Sequence, residues 1–288
     1  MTDNINMLDD TLKICEQGFY MRNDKKHKLM LSWEEMEQVR VFLPDKISAL
    51  SHVKDFKHIH ENKKCVYSCE NIDSFSLARK MYYDYKLTGK SSNEILVLNL
   101  ANPVTPGGGV RIGARAQEED LCRKSSLLLS LECNEAAKYY NYNRSLNTYM
   151  ASDAVIITPK VEIFKDENGE LLDESFIVAV MTCAAPCLLF GMEGLSRQQY
   201  KNMLYSRIEG MLRCAAYMGY STLVLGAFGC GAFGNDAGLV SDLFYKALKE
   251  FNFDGMNEND MFRRIAFAVL ARDDEQYNFE EFNRNFGN

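Results

Sequence analysis

Short runs of continuously apolar residues recur through this chain: "EILVLNL", "AVIITP", "FIVAVMTCAAP", "TLVLGAFG" and "RRIAFAVL". Runs of that length, bounded by turn residues and without polar alternation, read as strands buried on both faces of a sheet. Between most of them lie segments with apolar residues at helical spacing: "IDSFSLARKMYYDYKL", "QEEDLCRKSSLLLSLECNEAAKYYN", "SRQQYKNMLYSRIEGMLRCAAYMG" and "DAGLVSDLFYKALKEF". A further helix, "DDEQYNFEEFNRNF", closes the chain. Buried strands alternating with helices predict an α/β fold in three layers, with a largely parallel sheet covered on both faces. "KCVYSC" adds a short strand, and "VEIFKDENGELL" reads as two extended runs about an Asn168-Gly169 turn.

The first sixty or so residues differ in character. "DTLKICEQGFYM" and "SWEEMEQVRVFL" read as amphipathic helices, the second opened by Ser32 with Glu35 three residues on, a capping-box pattern. Residues 1–60 are therefore expected to form a helical extension packed on a main domain of residues 61–288. No linker is long enough to separate two cores.

Composition excludes several function classes. With a formal charge of -7 the chain lacks the basic excess of a general nucleic-acid backbone binder, although backbone N–H groups can still hold an anionic ligand. No run approaches the ~18 apolar residues of a membrane span. The start, "MTDNINMLDD", is acidic and polar, unlike a secretory signal. Nine cysteines, an odd number scattered through apolar segments, suit reduced thiols and a cytoplasmic setting.

Metal or histidine chemistry finds little support. Cys65/Cys69 and Cys183/Cys187 are each four apart, and His58 and His60 precede the first pair. However, Cys65 and Cys69 fall in an expected strand, where i and i+4 are too far apart to chelate one ion, and no second ligand pair has zinc spacing. No metal or cofactor is expected. All four histidines lie before residue 61 and no G-x-S-x-G elbow exists, so the acid–base groups beside the glycine loops are carboxylates.

Two glycine loops follow expected strands and precede expected helices. They are "TPGGGVRIGARAQEE" after "EILVLNL", and "GAFGCGAFGND" at the end of "TLVLGAFG". In an open α/β sheet, ligands bind where such loops converge at the carboxyl ends of strands. Bare backbone admits a ligand closely, and N–H groups beside a helix N-terminus suit phosphate oxygens. Neither loop has a Gly-Lys-Ser/Thr ending or a dinucleotide fingerprint. "GCGAFG" (Gly229, Gly231, Gly234) comes nearest to the fingerprint but lacks the downstream acid.

Gln117, Glu118 and Glu119 fall where the helix after the first loop begins, seven residues beyond Gly107, Gly108 and Gly109. Acidic residues favour helix N-termini, so a plain helix start accounts for them if taken alone. Set beside a phosphate pocket, however, their charge opposes the ligand unless they have a chemical task. Adjacent helical residues point about 100° apart, so one carboxylate can face a sugar and its neighbour another group. A carboxyl that gives and takes a proton beside a ribose is what glycosidic cleavage needs. Phe233, between glycines of the second loop, reads either as a plug into the core or as a wall that positions a ribose.

These residues carry a resemblance. "GGG-x₇-QEE" at Gly107–Glu119 is similar to the signature of the bacterial-type poly(ADP-ribose) glycohydrolases, which are macrodomain enzymes. The likeness extends over most of the chain, including "DTLKICEQGFY", "ENIDSFSLARKM", "ITPKVEIFKDENGELL", "TCAAP" and "LGAFGCGAFGND". It implies a macrodomain-like sheet and a glycosidase that releases ADP-ribose from ribose–ribose bonds without metal or cofactor. Glu119 would be the catalytic acid and Glu118 would hydrogen-bond ribose hydroxyls. Gly107, Gly108 and Gly109 would wrap the distal ribose and diphosphate, with Asn99 and Gln117 among the binding residues. Gly229, Cys230, Gly231, Ala232, Phe233, Gly234 and Asn235 would cradle the diphosphate, Phe233 orienting the terminal ribose. Asp73 falls where macrodomains bind the adenine amino group.

The chain departs from the family at two places. The family often reads Tyr-Ser-Pro where this chain has Ile157-Thr158-Pro159, and Asn-Phe-Ala-Ser-Ala where it has Asn99-Leu100-Ala101-Asn102-Pro103. Both leave the acid in place and bear on contacts to the rest of the ligand. The expected partner is ADP-ribose or poly(ADP-ribose), free or carried on protein or nucleic acid. Three alternatives stay open: a reader that binds ADP-ribose and cleaves nothing, a hydrolase of mono-ADP-ribosylated protein or nucleic acid, and a phosphate-binding α/β protein without ADP-ribose chemistry. Only the hydrolases need Glu119.

Overall fold

The computed structural model describes residues 2–50, 64–89, 94–272 and 275–287. The chain opens with α1 (Thr2–Gln17), the hairpin β1 (Phe19–Arg22) and β2 (Lys25–Lys28), α2 (Trp33–Met36), β3 (Arg40–Phe42) and α3 (Pro44–Ser48). There follow β4 (Val66–Glu70), α4 (Ser74–Thr88), β5 (Ile95–Leu100), α5 (Gln117–Lys124), α6 (Leu127–Glu132) and α7 (Ala137–Leu146). The remainder is β6 (Val155–Lys165), β7 (Leu171–Cys183), α8 (Arg197–Tyr217), β8 (Thr222–Leu225), α9 (Ala237–Lys249), α10 (Glu258–Met261), β9 (Arg264–Ala268) and α11 (Tyr277–Phe286).

Seven strands form one mixed sheet in the order β3-β6-β7-β5-β8-β9-β4. The pairs from β7 to β4 are parallel, whereas β6–β7 and β3–β6 are antiparallel. Alternate residues of each strand feed opposite cores, as the pleat requires. In β5, Leu96 and Leu98 face a core built with α3, α8, α9 and α11. Ile95 and Val97 face a second core built with α1 and α4 to α7. The expected α/β/α architecture is observed, and the Asn168-Gly169 turn joins β6 to β7.

Three segments differ from the helical expectation: the end of "DTLKICEQGFYM" leaves α1 after Gln17 and forms the hairpin strand β1, and two others follow. In "SWEEMEQVRVFL" the Ser32–Glu35 capping box forms, but α2 lasts one turn. Arg40–Phe42 then pairs with Val155–Ile157 as the edge strand of the main sheet. The β-branched and aromatic "VRVF" gains more from covering that edge than from continuing a helix. The long segment after Gln117 also breaks into three helices. Ser125 adopts an extended conformation (φ −151°, ψ 178°) and bridges Ile163, while Ser126 exchanges hydrogen bonds with the backbone of Glu162. Serines that divert the backbone into such pairing end a helix which apolar periodicity alone would continue.

The N-terminal region is fastened by a buried carboxylate. Glu162 on β6 accepts the N–H groups of Met30 and Leu31 at 2.9–3.0 Å and the hydroxyl of Ser175 at 2.6 Å. Among the described residues no helix is long and apolar enough to cross a membrane. His58 and His60 lie outside the described residues. Cys65 and Cys69 lie along one extended segment, separated by four rises of about 3.3 Å each.

Glu162→Ala leaves these donors without their acceptor inside the protein. Urea unfolding should show a loss on the order of 3 kcal/mol, with a smaller loss for Glu162→Gln, whose amide oxygen still accepts. Equal stability of Glu162→Ala and wild type would show that the clamp contributes nothing.

Candidate active site

The loop between β5 and α5 is shaped by its own polar groups. Asn102 accepts from the N–H groups of Val104 and Thr105, both at 2.9 Å, and so turns the chain. Gly107 (φ +65°) and Gly108 (φ +56°) then adopt left-handed conformations. Space also demands glycine here. A methyl group at Gly108 would lie 2.5 Å from Oε1 of Glu119 and 3.0 Å from Oε2 of Glu118. Bare backbone therefore runs directly over both carboxylates.

Glu118 and Glu119 are the first buried residues of α5, 2% and 7% exposed. Oε2 of Glu118 accepts the Asn102 N–H at 2.7 Å, and Oε1 accepts Nδ2 of Asn99 at 3.2 Å. Asn99 also donates to Thr182 of β7 at 3.1 Å. Oε1 of Glu119 accepts the Gly109 N–H at 2.8 Å. Two buried oxygens here, Oε2 of Glu119 and Oδ1 of Asn99, have no hydrogen-bond partner among the described residues. Buried polar atoms are nearly always paired, so these are candidates for ligand hydroxyls. Burial pushes the Glu118 carboxyl up to about 8, and the Glu119 charge adds to the rise. The Asn102 N–H and the Asn99 amide act against it.

Gln117 has a different task from ligand binding. Its amide donates to the Leu98 carbonyl at 2.7 Å and the Ser74 hydroxyl at 3.0 Å, and its oxygen accepts the Leu100 N–H at 2.8 Å. Both amide hydrogens are thus spent joining the start of α5 to β5 and α4. Asp73 caps α4 by accepting from Phe75 and Ser76 through Oδ1.

The second loop follows β8. Gly229 (φ +74°) turns the chain so tightly that a methyl group there would lie 2.4 Å from the Ala185 side chain. Asn235 closes the turn: Nδ2 donates to Gly229 O at 2.9 Å and Pro186 O at 2.8 Å, and Oδ1 accepts from the Tyr200 hydroxyl at 2.5 Å. With both amide hydrogens used, Asn235 shapes the cradle rather than donating to a ligand from its side chain. By contrast, the N–H groups of Gly231, Ala232 and Phe233 have no acceptor among the described residues. Three successive free donors, in the loop that leads to α9, suit a phosphate. The Phe233 ring is half-buried against the core shared by α8 and α9. Cys230 is half-buried, its thiol 3.6 Å from Phe228 O.

Sequence reasoning missed the support behind this loop. Tyr200 and Arg207 stand two turns apart on α8. Arg207, 1% exposed, donates to the carbonyls of Met150, Ala151 and Ala184 and to Asp153. An arginine on an otherwise apolar helix face was the available signal.

The family model for the microbial-type PARG (poly(ADP-ribose) glycohydrolase) catalytic domain matches residues 9–166. No curated protein sequence matches the chain. The fold is similar to that of poly(ADP-ribose) glycohydrolase from Thermomonospora curvata, with 27% identity over 99% of this chain and 100% of that one, TM-score 0.86. The same enzyme bound to the inhibitor ADP-HPD matches with 27% identity, the same coverage and a TM-score of 0.84. Poly(ADP-ribose) glycohydrolase from Deinococcus radiodurans in complex with ADP-ribose matches with 30% identity over 88% of this chain and 96% of that one, TM-score 0.75.

The raised carboxyl has a consequence for stability. Folded Glu118 keeps its proton at a pH where an unfolded carboxyl, near 4.5, has lost it. Its contribution is fully present below the unfolded value and is lost as pH rises through the folded one, at up to about 1.4 kcal/mol per unit. Glu118→Gln has no proton to lose, and Asn99 can flip to meet its amide. In urea unfolding the variant should gain on wild type between about pH 5 and pH 8, the window these values set. Parallel profiles would mean that Glu118 ionises like an exposed carboxyl.

Proposed function

The chain belongs to the microbial-type poly(ADP-ribose) glycohydrolase family, and on that premise we propose that it hydrolyses the ribose–ribose O-glycosidic bonds of poly(ADP-ribose) and releases ADP-ribose. The observation that carries the mechanism is the state of Glu119. One oxygen is fixed by the Gly109 N–H, while the other is buried without a partner among the described residues. A carboxyl held in that way is oriented by the protein and free to exchange a proton with the substrate.

In this reading the diphosphate lies against the free N–H groups of Gly231, Ala232 and Phe233, and Gly107 to Gly109 pass beneath the distal ribose. Glu118 and the free oxygen of Asn99 meet ribose hydroxyls. Glu119 protonates the leaving oxygen as the anomeric C–O bond breaks, and the electron pair leaves with that oxygen. Water then adds to the anomeric carbon and returns a proton to the carboxylate. Burial favours the neutral form of Glu118 at neutral pH. Asp73 takes the adenine amino group through the oxygen not engaged in capping. Nine free cysteines support a cytoplasmic setting.

The direct test is incubation with poly(ADP-ribose), with mono-ADP-ribosylated protein and DNA as comparison substrates, and detection of free ADP-ribose. Glu119→Gln keeps the side chain's size and removes its exchangeable proton. Turnover should fall by about 10²–10⁴-fold, while ADP-ribose binding measured by calorimetry persists. A folded Glu119→Gln protein that turns over substrate like wild type would assign the loops to a reader of ADP-ribose instead.

A further inference from the structure

Beside the second loop lies an apolar surface that neither core absorbs. Tyr149, Leu189 and Phe190 are 51%, 67% and 65% exposed, and Met192 adjoins them. The rings of Tyr149 and Phe190 stand 4.3 Å apart between centroids, tilted by 32°. Exposed aromatics on a slack loop would mean little, but these are braced. The Tyr149 N–H donates to Glu193 at 2.7 Å, as does the Thr148 hydroxyl, and the Tyr149 carbonyl accepts from Cys187 at 2.9 Å. Arg207 holds the neighbouring carbonyls of Met150 and Ala151 from beneath.

The surface is continuous with the proposed ligand site. The Leu188 N–H donates to the Phe233 carbonyl at 2.8 Å, so the residues bearing the patch are tied to the loop that would orient the ribose. A methyl group on Gly234 would lie 3.9 Å from Leu189. Its position across the sheet is equally telling. Leu189 and Phe190 follow β7, which flanks β5 on the side opposite β8, β9 and β4. Asp73 follows β4, at the far edge. A released unit whose adenine points toward Asp73 therefore presents its breaking bond toward β7.

The chemistry of the polymer says what stands beyond that bond. The leaving oxygen is the 2′-hydroxyl of the next adenosine, and its purine is attached to the adjacent ribose carbon. A flat aromatic base must therefore sit within a few bonds of the site of cleavage. We propose that Tyr149 and Phe190 form the platform on which the adenine of the leaving unit stacks, a subsite for the part of the chain that stays behind. The proposal rests on the glycohydrolase reading above. Base–aromatic stacking needs no sequence-specific hydrogen bonds, so two braced rings suffice.

The test compares the Tyr149→Ala/Phe190→Ala double variant with wild type on poly(ADP-ribose) and on ADP-ribosyl-ribose, which has the same bond and no leaving base. Loss of stacking should lower kcat/KM for poly(ADP-ribose) by about 5- to 150-fold, the range expected for one base. The rate on ADP-ribosyl-ribose and the Kd for ADP-ribose should stay at wild-type values. Phe190→Trp, which keeps an aromatic face, should retain activity on the polymer. Equal losses on both substrates, or weakened ADP-ribose binding, would make the patch a structural support and overturn the proposal. Undiminished activity on the polymer would overturn it as well. A wild-type protein that cleaves neither substrate would instead refute the glycohydrolase reading.

Discussion

Burying Glu118 and Glu119 side by side costs free energy that has to be offset locally, because each loses hydration and each repels the other. The N-terminus of α5 supplies part of the offset through its dipole. The rest comes from backbone donors of the preceding loop, Asn102 to Glu118 and Gly109 to Glu119. For those N–H groups to reach the carboxylates, the loop must fold back over the helix start. The Asn102 turn and the left-handed glycines at 107 and 108 achieve this. Gln117 in turn fixes the helix start against β5 and α4. Loop, helix and strand end are thus one construction, and its geometry follows from the need to hold two carboxylates away from water.

The opposite wall is organised from α8. Tyr200 reaches Asn235, which closes the turn from Gly229 and ties it to Pro186. Arg207, two turns further on, gathers the carbonyls at 150, 151 and 184. A buried arginine is costly unless its donors are satisfied, and Asp153 supplies the countercharge. One helix face therefore sets the distance between the second glycine loop and the segment that follows β7. Neither residue needs to touch a ligand to matter for binding.

How much of this was legible in the sequence depended on whether local pattern and tertiary context agreed. The strands from β5 to β9 are buried on both faces, so their apolar runs identified them directly. The same sequence signal failed in "VRVFL", where an edge position on the sheet overrode a helical reading, and at Ser125-Ser126, where pairing with β6 interrupts an apolar helical pattern. The hairpin Phe19–Lys28 was hidden for another reason. Its second strand, "KKHK", is polar throughout, and only Asn23 and Asp24, at φ 49° and 57°, betray a turn. At the site, residue types pointed to the right loops and carboxylates. They could not separate ligand-facing groups from bracing ones. Gln117 and Asn235 look like ligand residues by neighbourhood, yet both spend their amide hydrogens on the protein.

The division of labour between the two loops bears on why a binding protein would carry such a site at all. Holding a diphosphate calls for free N–H groups and a helix N-terminus, and the segment Gly231–Phe233 ahead of α9 supplies these, while the capping carboxylate of Asp236 is engaged by the Leu239 N–H and the Tyr277 hydroxyl. The first loop, read as wrapping the distal ribose and diphosphate, brings a different element. It leads to two acids on the first turn of α5, the helix that follows the neighbouring strand β5, where their ionised forms would oppose an anionic ligand. That arrangement costs stability as pH rises through the Glu118 value of about 8 and costs affinity for an anion. The Glu118 share of both costs falls away while its carboxyl keeps its proton, as burial favours at neutral pH. In the proposed reading the protonated Glu118 meets a ribose hydroxyl without repelling the diphosphate, and the Glu119 oxygen that has no partner among the described residues is left for the acid–base step.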